Sequence, residues 1–153
     1  HEKFNFDRQK IHVLGQSSGA HMASMMAVTD WQQEFDLPPD TIKSLTGISG
    51  GYDLEPHRLS ARNDYLKLDG AAAERNTPNH HVRHLFGPAI ISWGGLEHYE
   101  YRRQGLALKA AIESTGNSVE AVPCENRNHF EMGSEFAVPD SPLFKAVISQ
   151  ISR

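Results

Sequence analysis

The sequence predicts an α/β protein built on a mostly parallel sheet with crossover helices. Short apolar runs, typical of buried strands, alternate along the chain with segments of helical periodicity. Several of these runs end in glycines, which favour a tight turn at the end of a strand. The chain has 153 residues, of which 39% are hydrophobic, so it can bury a core within a single domain.

Four segments have the composition of strands. Three are continuous apolar runs and the last alternates apolar with polar residues, so we expect about four strands in one sheet. They lie at residues 10–14, 44–49, 89–93 and 118–122.

Helical periodicity is clearest at residues 100–114. A second helix is expected at about 19–29, and a closing one near 143–148, where Pro142 suits the first helical position. Residues 54–88 are polar and punctuated by prolines, and they predict a helix or two plus loops forming a cap over one end of the sheet.

The predicted helix at 19–29 carries three methionines. Met22, Met25 and Met26 are spaced by three and four residues, which places them on one helical face. We expect that face to pack against the sheet.

Charge and cysteine content exclude several classes of protein. The net charge is −4 and the basic residues are scattered, so there is no basic patch for nucleic acid. No apolar run reaches the roughly 18 residues of a membrane span. The single cysteine, Cys124, cannot form an internal disulfide, and this favours the cytoplasm. His80 and His84 have helical spacing but lack an evident third ligand, so we expect no metal and no cofactor.

Residues 15–19, Gly-Gln-Ser-Ser-Gly, follow the first predicted strand and open a predicted helix. This context is typical of the nucleophile elbow of the α/β-hydrolase fold, where a strained turn exposes a serine hydroxyl. We expect Gly15 and Gly19 to supply room where a Cβ would clash. Ser17 is the candidate nucleophile. The backbone N–H of Ser18, at the helix N-terminus, is the candidate oxyanion donor.

A serine hydroxyl needs a base, and an acid must orient that base. The candidate base is His129, in the loop between the last strand and the last helix. Glu97, one turn beyond the third strand, is the favoured acid. Glu100 and Asp53 are the alternatives, although Glu100 lies near arginines that could hold it in an ion pair.

Four motifs resemble those of the kynurenine formamidase (arylformamidase) branch of the α/β-hydrolases, whose relatives include small carboxylesterases. They are Gly-Gln-Ser-Ser-Gly-Ala-His, Ile-Ser-Gly-Gly-Tyr-Asp-Leu-Glu-Pro, Gly-Gly-Leu-Glu-His-Tyr-Glu-Tyr-Arg-Arg-Gln and Asn-His-Phe-Glu-Met, at residues 15–21, 48–56, 94–104 and 128–132. The resemblance implies a nucleophile at Ser17, an acid at Glu97 and a base at His129. It also implies cleavage of an N-formyl arylamine such as N-formylkynurenine, or of a small ester.

The resemblance has two departures. Members of that family carry an upstream His-Gly-Gly segment that completes the oxyanion hole, and earlier strands of the sheet, and this chain has neither. We therefore expect residues 1–153 to be the C-terminal part of a single α/β-hydrolase domain, with His1 marking a truncation. Losing one oxyanion donor costs about 100- to 1000-fold in turnover, so this segment alone is expected to be weak or inactive.

The sequence leaves two functions open besides formamide cleavage. One is a small-acyl carboxylesterase, and the other is a non-catalytic binding module with a hydrolase-like fold. A binding module predicts a disabled catalytic position, whereas Ser17, Glu97 and His129 all carry competent side chains. The expected partner is a small molecule, with no nucleic acid and no membrane, and a homodimer is left open.

Overall fold

The structure, a computed structural model, describes residues 4–152. His1, one of the histidines weighed as a base, lies outside this range. Four strands form one sheet in the order β1-β2-β3-β4, and every neighbouring pair is parallel. They are β1 (His12–Gln16), β2 (Ser44–Ile48), β3 (Ala89–Ser92) and β4 (Val119–Ala121).

Helices connect the strands, as the alternating pattern predicts. They are α1 (Ser18–Ala27), α2 (Trp31–Phe35), α3 (Glu55–Arg58), α4 (Asn63–Leu66), α5 (Gly70–Arg75), α6 (Tyr99–Ser114) and α7 (Pro142–Ile151). The sequence pattern did not predict α2. Its start is stabilised by Asp30, whose carboxylate accepts a hydrogen bond from the backbone N–H of Gln33.

The core has two layers, one on each face of the sheet. Ile91 of β3 belongs to the cluster that α1 and α6 cover, which includes Ala23 and Leu108. Ile90, its neighbour, belongs to the cluster on the other face, which Leu143 of α7 helps to form. Alternate side chains of a strand point to opposite faces, so the continuous apolar run in β3 serves both layers.

The methionine face of α1 does not pack against the sheet, so that prediction was wrong for two of the three residues. Met22 is 65% exposed and Met26 is 39% exposed, while Met25 is partly buried. The buried face is formed by small residues instead, among them Ala20 and Ala23. Small side chains let the helix approach the sheet closely and leave the long methionines on the outside.

The segment between β2 and β3 contains α3, α4 and α5 and two single turns of 3-10 helix, at Pro78–His80 and Val82–His84. It begins where β2 ends, at the carboxyl end of the sheet. Within the part of the chain described, no helix has the length and apolar character needed to cross a bilayer.

Candidate active site

Ser17 lies in a strained turn between β1 and α1. Its backbone φ is +57°, in the left-handed region that a serine rarely occupies. Such strain costs on the order of 1–3 kcal/mol and persists only where the surroundings enforce it. Here the backbone N–H of Ser17 donates a hydrogen bond to the carbonyl of Ile48 at 2.9 Å, which ties the turn to the end of β2.

The two glycines of the turn have different roles. A Cβ on Gly15 would lie 2.1 Å from the carbonyl oxygen of Gly19, so only glycine lets the helix start this close to the strand. A Cβ on Gly19 would meet no described atom within 4 Å. The expectation that Gly19 also relieves a clash was therefore wrong, because its Cα points away from the strand.

His129 connects Ser17 to Glu97. Its Nε2 lies 2.9 Å from the Ser17 hydroxyl, and its Nδ1 lies 2.6 Å from Oε1 of Glu97. An ionised carboxylate can only accept, so Nδ1 carries the proton and Nε2 is left as the acceptor for the serine hydroxyl. The tautomer that a general base needs is thus the one that Glu97 enforces.

The side chain of Glu97 is 1% exposed and fully supplied with donors. Besides His129, it accepts hydrogen bonds at Oε2 from the Ser49 hydroxyl at 2.8 Å and from the backbone N–H of Gly94 at 2.6 Å. A buried carboxylate that keeps its charge requires such partners. Sequence reasoning missed Ser49, although its position directly after β2 places it at the carboxyl edge of the sheet, where functional side chains collect.

Glu97 and His129 meet because their loops touch backbone to backbone. A Cβ on Gly94 would lie 2.2 Å from the carbonyl oxygen of Arg127, and one on Gly95 would lie 2.2 Å from that of Glu125. The glycine pair therefore does more than end β3. It allows the loop that carries Glu97 to pack directly on the loop that carries His129.

The alternative acids lie elsewhere. Glu100 forms an ion pair with Arg103 at 2.6 Å, and hydrogen bonding to that guanidinium lowers the pKa of its carboxyl. Asp53 accepts from the backbone N–H of Glu55 at 3.0 Å and lies 3.7 Å from Arg103. Neither forms a described hydrogen bond with His129, whereas Glu97 does.

Three side chains that sequence reasoning did not assign to the site hold its parts in place. The ring of Tyr101 stacks on the imidazole of His129, with centroids 4.6 Å apart. Gln16 donates from Nε2 to the backbone carbonyl of His129 at 2.6 Å. Gln104, which is buried, accepts from the backbone N–H groups of Tyr52 and Asp53 at 2.6 and 2.9 Å, and so fixes the loop that follows Ser49.

Ser18 is the first residue of α1, so its backbone N–H has no carbonyl to reach within the helix. Among residues 4–152 this N–H donates no hydrogen bond. Ser17 and Ser18 both line one cavity. A free N–H at a helix N-terminus, beside the serine hydroxyl, is suited to a negative oxygen.

That cavity, called here the Ser17 cavity, has a volume of about 430 Å³. Its opposite wall comes from the segment between β2 and β3, including Leu54, Tyr65 and Leu66. Tyr101 completes it on the side of α6. The volume lies within the range of about 300–1,000 Å³ that is typical of small-molecule sites.

The remaining histidines are not brought to Ser17 as a base. His21 donates from Nε2 to the carbonyl of Asn76 at 2.7 Å and lines the Ser17 cavity. His12 pairs with the Ser44 hydroxyl at 2.7 Å, inside the sheet. His80 and His84 contact different carboxylates, Glu74 and Asp30, so the pair does not converge on one point.

Comparison with solved structures identifies this arrangement of strands and helices. The chain superposes on an acetyl ester-xyloside bifunctional hydrolase from Caldicellulosiruptor lactoaceticus with a TM-score of 0.72. The match covers 99% of this chain and 60% of that protein, at 16% sequence identity. The protein is a member of the α/β-hydrolase superfamily.

Sequence comparison narrows the branch of this α/β-hydrolase. It is 28% identical over 148 residues to a kynurenine formamidase from Danio rerio and 29% identical over 149 residues to one from Salmo salar. Each alignment covers 94% of this chain but only 50% of the relative, so the chain spans about half the length of the curated relatives it matches. The family model described as BD-FAE matches residues 1–50. These matches support the kynurenine formamidase and carboxylesterase branch that the four motifs predict.

Proposed function

We propose that this α/β-hydrolase cleaves a small acyl group, formyl in the first instance, from an amide or ester through an acyl-enzyme. The observation that carries the proposal is the continuous hydrogen-bonded chain from the Ser17 hydroxyl through His129 to Glu97. The geometry meets the requirement that nucleophile, base and orienting acid lie within hydrogen-bonding reach of one another.

The proposed reaction proceeds in two halves. Ser17 Oγ attacks the carbonyl carbon while Nε2 of His129 takes the hydroxyl proton, and the carbonyl oxygen becomes negative beside the Ser18 N–H. His129 then gives the proton to the leaving amine or alcohol, and the acyl group remains on Ser17. In the second half a water molecule attacks the acyl-serine with His129 again as base, which releases the acid and restores the hydroxyl.

Glu97 serves both halves without exchanging its proton. Its negative charge lies 2.6 Å from Nδ1 and favours the imidazolium that forms when His129 accepts the serine proton. The hydrogen bonds from Ser49 and Gly94 keep this carboxylate charged in its buried position.

The similarity to kynurenine formamidases favours an N-formyl arylamine such as N-formylkynurenine as the substrate. The apolar walls of the Ser17 cavity, formed by Leu54, Leu66 and Tyr101, are compatible with an aromatic leaving group. A small aryl ester would fit the same chemistry, and carboxylesterase activity is the second candidate.

Labelling with a fluorophosphonate tests the serine mechanism. We expect one adduct per chain in the full-length protein, and none after Ser17→Ala. Ser18→Ala is the matched control, because it changes the adjacent hydroxyl and keeps the backbone N–H. No labelling of the unmodified protein, or labelling that survives Ser17→Ala, would contradict the proposal and favour the non-catalytic binding module.

The choice between formamide and ester is decided by comparing kcat/KM for N-formylkynurenine and p-nitrophenyl acetate on the same preparation. We expect the formamide to be the better substrate. A much higher value for the ester would assign the protein to the carboxylesterases while leaving the roles of Ser17, His129 and Glu97 as proposed.

A further inference from the structure

Arg62 is the only permanently charged side chain among the described residues that line the Ser17 cavity. It lies at the cap position before α4, in the segment that forms the wall opposite the nucleophile. No aspartate or glutamate of the described chain lines the same cavity. The cavity therefore has one cationic group and no carboxylate to balance it.

The guanidinium of Arg62 forms no ion pair with any described carboxylate. In contrast, Arg58, four residues earlier in the chain, is held by Glu55 at 2.6 Å. Arg62 also lines a second cavity of about 340 Å³, which shares Gly51, His57 and Tyr101 with the first. An unpaired arginine at the place where two cavities meet has its full set of donors free for a ligand.

The other titratable groups around it do not supply a negative charge. Burial lowers the pKa of His57, and the charge of Arg62 lowers it further, so His57 is neutral near pH 7. His21 donates its Nε2 proton to the Asn76 carbonyl. Glu100 lines the second cavity, but Arg103 already pairs with it at 2.6 Å.

We propose that Arg62 binds a carboxylate on the leaving-group side of the substrate and so makes the protein selective for acidic acyl compounds. The planar guanidinium is suited to bidentate binding of a carboxylate, and it faces no internal competitor. The selectivity in turnover rests on the proposed hydrolase function, whereas carboxylate binding by Arg62 does not. Arg62 is a specificity-determining residue, since its partner is remote from the bond that breaks.

Two aryl acetates that differ by one carboxylate test this: phenyl acetate and 4-acetoxybenzoate. We expect 4-acetoxybenzoate to have the higher kcat/KM by about fivefold to tenfold, the low end for a charged hydrogen bond because Arg62 is exposed at the cavity rim. Arg62→Met should remove this preference and leave phenyl acetate turnover unchanged. Raising the ionic strength should also reduce the preference, since salt screens an exposed charge.

Lys67→Met is the matched control. It removes one exposed positive charge from the same segment, at a residue that does not line either cavity, and it should leave the preference intact. Arg62→Lys keeps the charge but loses the fork of donors, so it should retain part of the preference. Equal kcat/KM for the two esters, or a preference that survives Arg62→Met, would overturn the proposal.

Binding of 4-hydroxybenzoate and phenol to the Ser17→Ala variant separates this inference from the proposed reaction. Calorimetry should show tighter binding of 4-hydroxybenzoate, lost after a second change, Arg62→Met. If neither ester is turned over but this difference in binding is found, the hydrolase proposal fails and the carboxylate site stands. If the esters are turned over without any difference in binding, the carboxylate site fails and the hydrolase proposal stands.

Discussion

At the scale of single residues, the site depends on hydrogen bonds that converge on one buried carboxylate. Glu97 orients His129 and is itself held by Ser49 and Gly94, so each of its oxygens has at least one donor. The acid is therefore not interchangeable with the nearby Glu100, although both glutamates follow β3 within a few residues. Glu100 is committed to Arg103 and Gln104.

A matched pair of glutamine substitutions distinguishes the two glutamates. Glu97→Gln should lower kcat by about 1,000- to 10,000-fold, because an amide in place of the carboxylate favours the wrong tautomer of the base and cannot stabilise its charged form. Glu100→Gln should change kcat little. Steady-state kinetics on the best acyl substrate measures both. A large loss in Glu100→Gln with a small one in Glu97→Gln would reverse the assignment.

Cys124 is a residue whose reactivity the structure predicts to be low. Its thiol is buried next to Ser92, and burial raises its pKa, so little reactive thiolate exists near neutral pH. We expect iodoacetamide to modify the native protein slowly and the urea-unfolded protein rapidly, as followed by mass spectrometry. Fast stoichiometric modification of the native state would show that the thiol is accessible.

At the scale of elements, the strained turn between β1 and α1 is the feature that places the nucleophile. It needs a close approach of strand and helix at Gly15, a positive φ at Ser17, and a hydrogen bond from Ser17 to β2. These requirements are local, and they explain why the turn is recognisable as a short pattern of residues. Only one of its two glycines is required by packing.

Alanine substitutions at those glycines test that difference. Gly15→Ala should destabilise the protein by at least about 2–3 kcal/mol, because the new Cβ would meet backbone atoms that cannot rotate away. Gly19→Ala should be neutral or stabilise by up to about 1 kcal/mol, since alanine favours the helix and meets nothing. Urea unfolding monitored by circular dichroism gives both values. Equal destabilisation by the two changes would contradict the different roles.

At the scale of the whole molecule, the site is assembled by the sheet and its two core layers. Ser17, Glu97 and His129 follow β1, β3 and β4, so a parallel sheet brings their loops to the same edge. The helices α1 and α6 cover one face and α7 covers the other. Loss of either layer should therefore act on the fraction of molecules that hold a complete site.

Leu143, fully buried in the layer beneath α7, tests this dependence. Leu143→Ala should cost about 2–5 kcal/mol of unfolding free energy, a large part of the roughly 5–15 kcal/mol typical of a domain. Ile148→Ala, on the same helix but 43% exposed, is the control and should cost much less. Activity per fluorophosphonate-titrated site should stay constant in Leu143→Ala while the number of sites falls. A reduced rate per titrated site would show that α7 also shapes the site directly.

The sequence by itself determined the class of the fold, the nucleophile turn and the candidates for base and acid. Strand and helix periodicity, glycines after strands and the G-x-S-x-G pattern all reflect interactions between residues close in the chain, which a local pattern can record. The comparisons support the branch of the superfamily that the four motifs predict. The three-way choice of acid was weighed from position after a strand, and the structure separates the three by their hydrogen-bond partners.

Only the tertiary structure decided which side chains share an environment. His129 meets Ser17 across 112 positions of the chain and Glu97 across 32, and no local pattern encodes those distances. The exposed methionines of α1, the contact of Ser49 with Glu97 and the unpaired Arg62 in the Ser17 cavity emerged in the same way. Burial and pairing depend on what distant segments bring to a surface, and for that reason they are properties of the fold and not of any one stretch of sequence.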